Sequence, residues 1–307
     1  MPVSAFSARL VTAVADHVRF FAAVWLSVRW ATGSASEDGH LTMVPWKTGI
    51  MCAGLVTTHT IMEMFYGLVL LGPESLASVK RQQVAMDIQN KALMTSLVGL
   101  ILHLAILAAG LSYWGVFGPV FVSESSTTGT WMDDLEVWMM ALVQPYAEFW
   151  AICVLKDCFS MNILHRKMHN KNHQFLHSIH ELHHNYAINL NNINGSQIDP
   201  LDLFLENSIG PFLLVCAKWA LGLTPQVSFL AFYTLVSSEG STHSLNPYSV
   251  CYYFPPADAI LKGNIGHNLH HAKPHTNFTA HPWHHLWKGY QKDVDTYNHV
   301  MKTQVQL

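Results

Sequence analysis

The sequence predicts an all-α integral membrane protein, a bundle of about four membrane-spanning helices with a histidine-rich helical cap on its cytoplasmic side. Three observations lead to this prediction. Half of the 307 residues are hydrophobic and only 12% are charged, whereas a soluble domain usually has about 25% charged residues. Several apolar stretches reach the length of about 20 residues that a helix needs to cross a bilayer. Finally, 15 of the 20 histidines lie between His165 and His285.

Three apolar stretches have the length and composition of a membrane-spanning helix: residues 49–71, 93–121 and 136–155. The polar segments between them differ in charge, because residues 72–92 contain three Lys or Arg residues and residues 122–135 contain none. Lys and Arg concentrate on the cytoplasmic side of membrane proteins. Alternation of the spans therefore places residues 72–92 and the histidine-rich region after residue 155 on the cytoplasmic face.

Two further apolar stretches complete the predicted elements. Residues 204–221 are followed by Pro225 and a shorter apolar run. We interpret residues 204–237 as a hairpin that enters and leaves the membrane, which returns the chain to the cytoplasmic side. Residues 14–31 are apolar and aromatic but contain four ionisable side chains, so they form either a first span or an interfacial helix.

The chain is predicted to form one membrane domain over residues 1–307. Residues 1–155 supply the N-terminal transmembrane helices, and residues 156–307 form the histidine-rich region. The net charge of −3 argues against a nucleic-acid partner, since such proteins usually carry a strongly basic face. The five cysteines are widely spread and match neither a disulfide framework nor a zinc motif of paired cysteines.

Histidines recur at short spacing in three motifs. The first motif has the pattern HxxxH, and residues four apart project from the same face of a helix. The second and third motifs both have the pattern HxxHH, in which the first and last histidines share a face and the middle one lies beside them. The eight histidines of these motifs are His165, His169, His180, His183, His184, His267, His270 and His271.

These motifs predict a metal centre. Neutral imidazole is the commonest metal ligand in proteins, and one metal ion needs only three or four protein ligands. Eight imidazoles that meet at one membrane face are therefore enough for two metal ions. A purely structural role is disfavoured because a buried imidazole without a partner is energetically costly.

Other histidines in the same region leave alternatives open. His173 and His177 continue the face of the first motif, and they either bind metal, line the site or are solvated. His275 follows Pro274, which interrupts a helix, so we do not expect it to bind metal. A rival to the third motif repeats the HxxHH pattern at His281, His284 and His285.

Three segments carry a resemblance to a known family. Residues 157–169 (DCFSMNILHRKMH), 180–185 (HELHHN) and 267–278 (HNLHHAKPHTNF) resemble the fatty acid hydroxylase/sterol desaturase superfamily of membrane-bound histidine-box enzymes. The resemblance extends over residues 157–290, slightly under half of the chain. The spacing to the end of that region is similar to the family's and favours the third motif over its rival.

The resemblance implies a function. It implies that the histidines hold two iron ions, with His243 as a ninth ligand, and that residues 156–307 are the catalytic region. It also implies O2-dependent hydroxylation or desaturation of a C–H bond in a lipophilic small-molecule substrate, such as a sterol, a fatty acyl chain or a specialised metabolite. In eukaryotes, members of the family usually reside in the endoplasmic reticulum membrane, and a bacterial inner membrane is the alternative. A dipeptide His-Pro that is usual in the family is replaced here by Asp199-Pro200.

Electrons would come from a separate donor such as cytochrome b5 or a reductase, since no HPGG haem-binding motif occurs in the sequence. The sequence assigns no individual catalytic residue. One alternative is a non-redox metal-dependent membrane enzyme, a hydrolase or lyase, which would bind zinc with an open position. The other is a metal transporter or sensor, which would place ionisable ligands along the spans rather than at one face.

Overall fold

The computed structural model describes residues 30, 32–35, 41–71, 89–118, 131–185, 198–242 and 270–271. This part of the chain is mostly helical, as predicted. Its two strands, β1 (Thr32–Ala35) and β2 (Leu41–Met43), form an antiparallel pair. The sequence did not predict them, because strands of four and three residues are too short to show an alternating apolar pattern.

Three long helices come first. They are α1 (Pro45–Leu71), α2 (Gln89–Tyr113) and α3 (Trp131–Leu155). A π-helix (Lys156–His165) continues α3 directly and is followed by the short helix α4 (Arg166–Met168). Helix α5 (Gln174–Glu181) and a 3-10 turn (His183–Asn185) complete the histidine-rich segment.

Helices α6 (Pro200–Ala220) and α7 (Phe229–Thr242) contain the predicted hairpin at 204–237. Helix α6 starts with Asp199 as its N-cap, whose carboxylate accepts a hydrogen bond from the Leu201 backbone N–H at 2.8 Å. Pro200 follows at the first helical position, where a missing N–H costs nothing. Gly222 turns the chain between the two helices at a φ of 71°, in the left-handed region that glycine adopts readily.

Helices α1 and α2 pack closely in opposite directions. The Thr48 hydroxyl lies 3.4 Å from the Ser112 hydroxyl, which donates to the Met43 carbonyl at 3.0 Å. A Cβ atom added at Gly49 would lie 2.8 Å from the Ala105 carbonyl oxygen. Small residues of this kind let helix backbones approach each other. The absence of a side chain at Gly49 therefore allows α1 to pack closely on α2.

Helices α3 and α6 also pack in opposite directions. Gly210 of α6 faces Ile152 of α3, where an added Cβ would lie 2.8 Å from the Ile152 side chain. Further along, Glu148 of α3 accepts a hydrogen bond from Lys218 of α6 at 2.8 Å. This antiparallel packing places Asp202, at the start of α6, beside the π-helix that follows α3.

Two groups of buried apolar side chains hold the helices together. One lies between α1, α2 and α7, and it includes the packed rings of Phe117, Phe229 and Phe232. The other lies between α3, α6 and α7 around Phe149 and Ile152. Both groups lie within the helical bundle.

Within the described ranges, one helix, Pro200–Ala220, is long and apolar enough to cross a membrane by length and composition. The predicted spans at 49–71, 93–121 and 136–155 coincide largely with α1, α2 and α3, so their helical structure is confirmed where it is described. The bundle of four spans stays a prediction. Of the segment 14–31, only Trp30 is among the described residues.

Candidate metal centre

The first histidine motif lies where the π-helix ends. His165 is its last residue, and His169 follows α4. The His169 backbone N–H donates to the His165 carbonyl at 3.1 Å, which is the helical turn that the HxxxH spacing predicts. The Nε2 atoms of the two rings are 3.1 Å apart. π-Helical turns occur frequently at functional sites, because their wider turn re-aims the side chains that follow.

A third imidazole from a distant part of the chain completes a triangle. The Nε2 atom of His270 lies 3.1 Å from Nε2 of His169 and 3.2 Å from Nε2 of His165. Two nitrogens bound to one metal ion at about 2.0–2.1 Å, at tetrahedral or octahedral angles, are separated by about 2.8–3.4 Å. The three Nε2 atoms therefore have the spacing of ligands to a single ion.

The triangle belongs to a larger group, which we call the histidine cluster. Each member offers one ring nitrogen, and these nitrogens all lie within 4.8 Å of one another. The cluster unites all three sequence motifs, and it consists of His165, His169, His180, His184 and His270. Such a group of nitrogens is compatible with a metal site, while the identity and number of metal ions are separate questions.

Two more of the predicted ligands adjoin the histidine cluster. The rings of His183 and His271 have their centroids 4.6 Å apart, and we call them the adjoining pair. His271 also stacks on His184 of the cluster at 4.4 Å. Both residues of the adjoining pair are buried. Seven of the nine predicted ligands are thus gathered at one place, and the other two, His243 and His267, lie outside the described residues.

Several ring nitrogens of the histidine cluster are not used in hydrogen bonds among the described residues and could bind a metal ion. His180 uses Nδ1 for a 2.8 Å contact with the Asp202 carboxylate, and both side chains are almost fully buried. Within the described part of the chain, His180 Nε2 and both ring nitrogens of His184 are buried without a hydrogen-bond partner. Buried nitrogens of this kind are costly unless something binds them, and a metal ion is the ligand that histidine nitrogens bind most often.

Burial also sets the protonation state. Desolvation, followed by the charges of neighbouring histidines, lowers the pKa of His165 and His184 well below the usual value. Desolvation lowers the pKa of His180 to about 4. These imidazoles are therefore neutral at pH 7, which is the form that binds metal.

Two other predicted candidates lie outside the histidine cluster. His173 is exposed at the start of α5. His177 lies at 2.9 Å from the Met168 carbonyl through its Nδ1 atom, so it helps to fix the turn between α4 and α5. The alternative ligands His275, His281, His284 and His285 lie outside the described residues.

Two acidic residues of α6 lie near His180. Asp202 contacts its ring, and Glu206 completes a second group with His180 and Asp202 whose ligand atoms lie within 4.8 Å of one another. Asp199, which stands where the resembled family usually has a histidine, caps α6 instead. The sequence contained a signal for this arrangement. Asp199-Pro200 marks a helix start, and Asp202 then follows in the first turn, where its carboxylate reaches His180.

Glu148, an ionisable residue within a predicted span, lies outside the centre. Its carboxylate accepts hydrogen bonds from Lys218 at 2.8 Å, from Gln144 at 3.1 Å and from the Ser228 backbone N–H at 2.6 Å. These contacts join α3, α6 and the start of α7. Glu148 therefore has a role in packing the helices.

Comparisons with protein-family models, with curated proteins and with solved structures find no match for this chain. The description of the site therefore depends on its own residues and geometry.

Proposed function

We propose that this chain is a membrane-bound enzyme that uses two iron ions and O2 to hydroxylate or desaturate a C–H bond of a lipid-like substrate. The observation that supports this most directly is the convergence of seven histidines at one end of the helical bundle. One metal ion requires only three or four protein ligands. The resemblance of the three motifs to the fatty acid hydroxylase/sterol desaturase superfamily supplies the choice of iron among the metals that imidazole binds.

The histidine cluster would hold one ion through Nε2 of His165, His169 and His270, with His180 and His184 beside them. The adjoining pair would contribute to the second ion. His243 and His267 are predicted to complete the ligands of the two ions. Every donor is an imidazole, and imidazole suits iron, zinc and copper, so the residues present fit the iron pair that the resemblance implies.

Bound iron would supply the oxidation by O2 of an unactivated C–H bond, which protein side chains alone cannot perform. Hydroxylation converts R–H, O2, two electrons and two protons into R–OH and H2O. Desaturation converts CH2–CH2, O2, two electrons and two protons into CH=CH and two H2O. The chain's own contribution is to hold neutral, buried imidazoles at a fixed separation and to keep bulk water away from them.

Exposed apolar side chains next to the histidines favour a lipophilic substrate. Phe159 and Ile163 are exposed on the π-helix that ends at His165. Leu201 and Phe204 are exposed on the first turns of α6, which carries Asp202. Clustered exposed apolar residues mark a membrane or ligand contact. The proposed route for the substrate is therefore from the bilayer towards the histidine end of the bundle.

The remaining parts of the proposal follow from the sequence and from the resemblance. The protein would be integral to the endoplasmic reticulum membrane with the metal centre on its cytoplasmic face. A separate protein, cytochrome b5 or a reductase, would deliver the electrons. The membrane-length helix α6 supports the association with a bilayer.

Metal analysis tests the proposal first. We expect the detergent-purified protein to contain about two iron ions per chain after reconstitution with iron(II) under reducing conditions. His165→Ala and His270→Ala should each lower the iron content, because each removes one corner of the Nε2 triangle. His173→Ala is the matched control and should retain the parent's content, since His173 is exposed and outside the histidine cluster.

Product analysis tests the reaction. Lipid extracts from cells that express the parent should contain a compound with one added oxygen or two fewer hydrogens, absent with His270→Ala. Under 18O2 the added oxygen should be labelled. A reconstituted protein that binds only zinc and consumes no O2 would overturn the oxidase proposal and favour the hydrolase or lyase alternative.

A further inference from the structure

We propose that Asp202 is a positioning residue that orients the ring of His180 for metal binding. The inference depends on the metal centre of the proposed function and concerns how this chain prepares one of its ligands. It assigns a role to a buried acidic residue that is not a predicted ligand.

The Asp202 contact selects the ring nitrogen that would bind metal. The Asp202 oxygen Oδ2 lies 2.8 Å from Nδ1 of His180. In the metal-free protein, burial raises the pKa of the Asp202 carboxyl to about 8. A metal ion at Nε2 of His180 requires the ring's single proton on Nδ1, where the ionised carboxylate accepts it. Nε2 is then left with its lone pair. Metal-binding histidines usually donate their other N–H to a carboxylate or carbonyl in this way.

The orientation of the ring agrees with that role. Nε2 of His180 is buried and has no hydrogen-bond partner among the residues that the structure describes. The ring lies against the histidine cluster, with its centroid 4.5 Å from that of His165 and 4.8 Å from that of His169. The lone pair is therefore on the nitrogen that Asp202 does not contact, in a ring that packs on the other proposed ligands.

The fold places Asp202 with little freedom. The cap by Asp199 and the proline that follows it start α6 at a defined residue, and Asp202 lies in the first turn with no exposed surface. On the other side, His180 lies in the last turn of α5 and is also buried. The contact thus joins α5 to α6, two elements separated by the second histidine motif and the segment that follows it.

A buried lysine on the facing element favours the ionised form of Asp202. Lys156 is the first residue of the π-helix and only 2% exposed. It packs against α6, where a Cβ added at Gly210 would lie 3.3 Å from the Lys156 Cβ atom. Desolvation of the Asp202 carboxyl raises its pKa, and the positive charge of Lys156 lowers that pKa by a smaller amount.

A double-mutant cycle on metal affinity tests the inference. The probe is zinc, measured by competition with a chelator on the full-length protein in detergent, so no turnover is needed. We expect Asp202→Ala to lower the affinity about 10- to 100-fold, the usual effect of removing such a partner. His180→Ala should have a similar effect, and the double variant should lose no more than His180→Ala alone, because Asp202 acts through that ring.

Two conservative variants separate positioning from folding. Asp202→Asn retains the size of the side chain and an oxygen that can accept from Nδ1, so it should recover part of the lost affinity. Gly222→Ala strains the turn at the other end of the same helix, where φ is 71°, and it should lower the melting temperature while zinc affinity stays at the parent's value. Cobalt(II)-loaded Asp202→Ala should also show an altered visible spectrum, while Gly222→Ala should not.

The outcomes distinguish this inference from the proposed function. Additive losses in the cycle, or full zinc affinity in Asp202→Ala, would overturn the positioning role and leave the metal centre standing. A parent protein that binds neither zinc nor iron would overturn both.

Discussion

At the scale of single residues, the histidine cluster depends on where each ring nitrogen points. Three Nε2 atoms lie 3.1–3.2 Å apart, and His180 turns Nδ1 away from them to reach Asp202. Three Nε2 atoms of neutral imidazoles cannot all form hydrogen bonds with one another, since a protonated ring nitrogen only donates and an unprotonated one only accepts. The arrangement is compatible with a cation shared among them.

The pH dependence of stability follows from the same burial. The folded-state pKa of His180 is about 4, below its ordinary value of 6.5. Below pH 6.5 the unfolded state takes up a proton that the folded state does not, so the free energy of unfolding falls as the pH decreases towards about 4. The pKa of Asp202, raised by burial to about 8, acts in the opposite sense, whereas the lowered pKa values of His165 and His184 act in the same sense as that of His180. Because three histidines oppose one carboxyl, we expect the melting temperature of the metal-free protein to decrease across this range.

His180→Gln should reduce that decrease, because it removes the titrating ring while keeping a polar side chain. His173→Ala serves as the control, since His173 is exposed. Thermal unfolding in a neutral detergent at several pH values provides the measurement. A melting temperature that rises between pH 6.5 and 4 would contradict the prediction.

At the scale of helices, glycines decide how closely two elements approach. Gly210 lets α6 lie against α3, and an added Cβ would lie 2.8 Å from the Ile152 side chain. The same contact places Lys156 and Asp202 on facing elements. Packing of this pair of helices is therefore tied to the position of Asp202 beside the histidine cluster.

Gly210→Ala should destabilise the protein by about 1–3 kcal/mol, the usual cost of overpacking, and it should also weaken zinc binding. Gly110→Ala is the matched control, because a Cβ there would meet nothing within 4 Å and alanine favours a helix by about 0.5–1 kcal/mol. Unfolding in detergent measures both. Equal effects at the two glycines would contradict the close contact at Gly210.

The ion pair between Glu148 and Lys218 also joins two helices, α3 and α6. Lys218→Met leaves the Glu148 carboxylate buried without its cation, which should cost about 1–3 kcal/mol after allowing for the partial exposure of Lys218. Adding Glu148→Gln should recover part of this loss, because the uncompensated charge is then removed. Iron content should stay at the parent's value in both variants, since these residues are remote from the histidine cluster. Loss of iron in them would contradict a packing role.

At the scale of the whole molecule, the directions of the helices place the histidines and Asp202 at one end of the bundle. Helices α3 and α6 run in opposite directions, so the end of one and the start of the other both lie beside the histidines. Helix α7 then runs back from the turn after α6. The cap is thus built from segments that join the ends of the long helices.

Membrane topology can be tested by cysteine labelling. In a variant with serine at the five native cysteine positions, Arg81→Cys and Lys171→Cys should react with a membrane-impermeant maleimide from the cytoplasmic side. Ser126→Cys should react from the opposite side only, because Lys and Arg are absent from residues 122–135. Labelling of positions 81 and 171 from different sides would contradict the proposed orientation.

The sequence by itself predicted the helical fold class and the seven histidines that the described part of the chain brings together. Apolar length predicted α1, α2, α3 and α6, and HxxxH and HxxHH spacing predicted which rings share a face. These features are local, because the helical repeat alone relates residues that are three or four positions apart.

Only the tertiary structure decided which distant groups meet. His270 joins His165 and His169 from about one hundred residues away, and Asp202 rather than Asp199 reaches His180. The identity of that carboxylate depends on the exact start of α6 and on its contact with α5. The physical reason is that periodicity orders side chains along one helix, whereas the packing of helices against each other determines the distances between them.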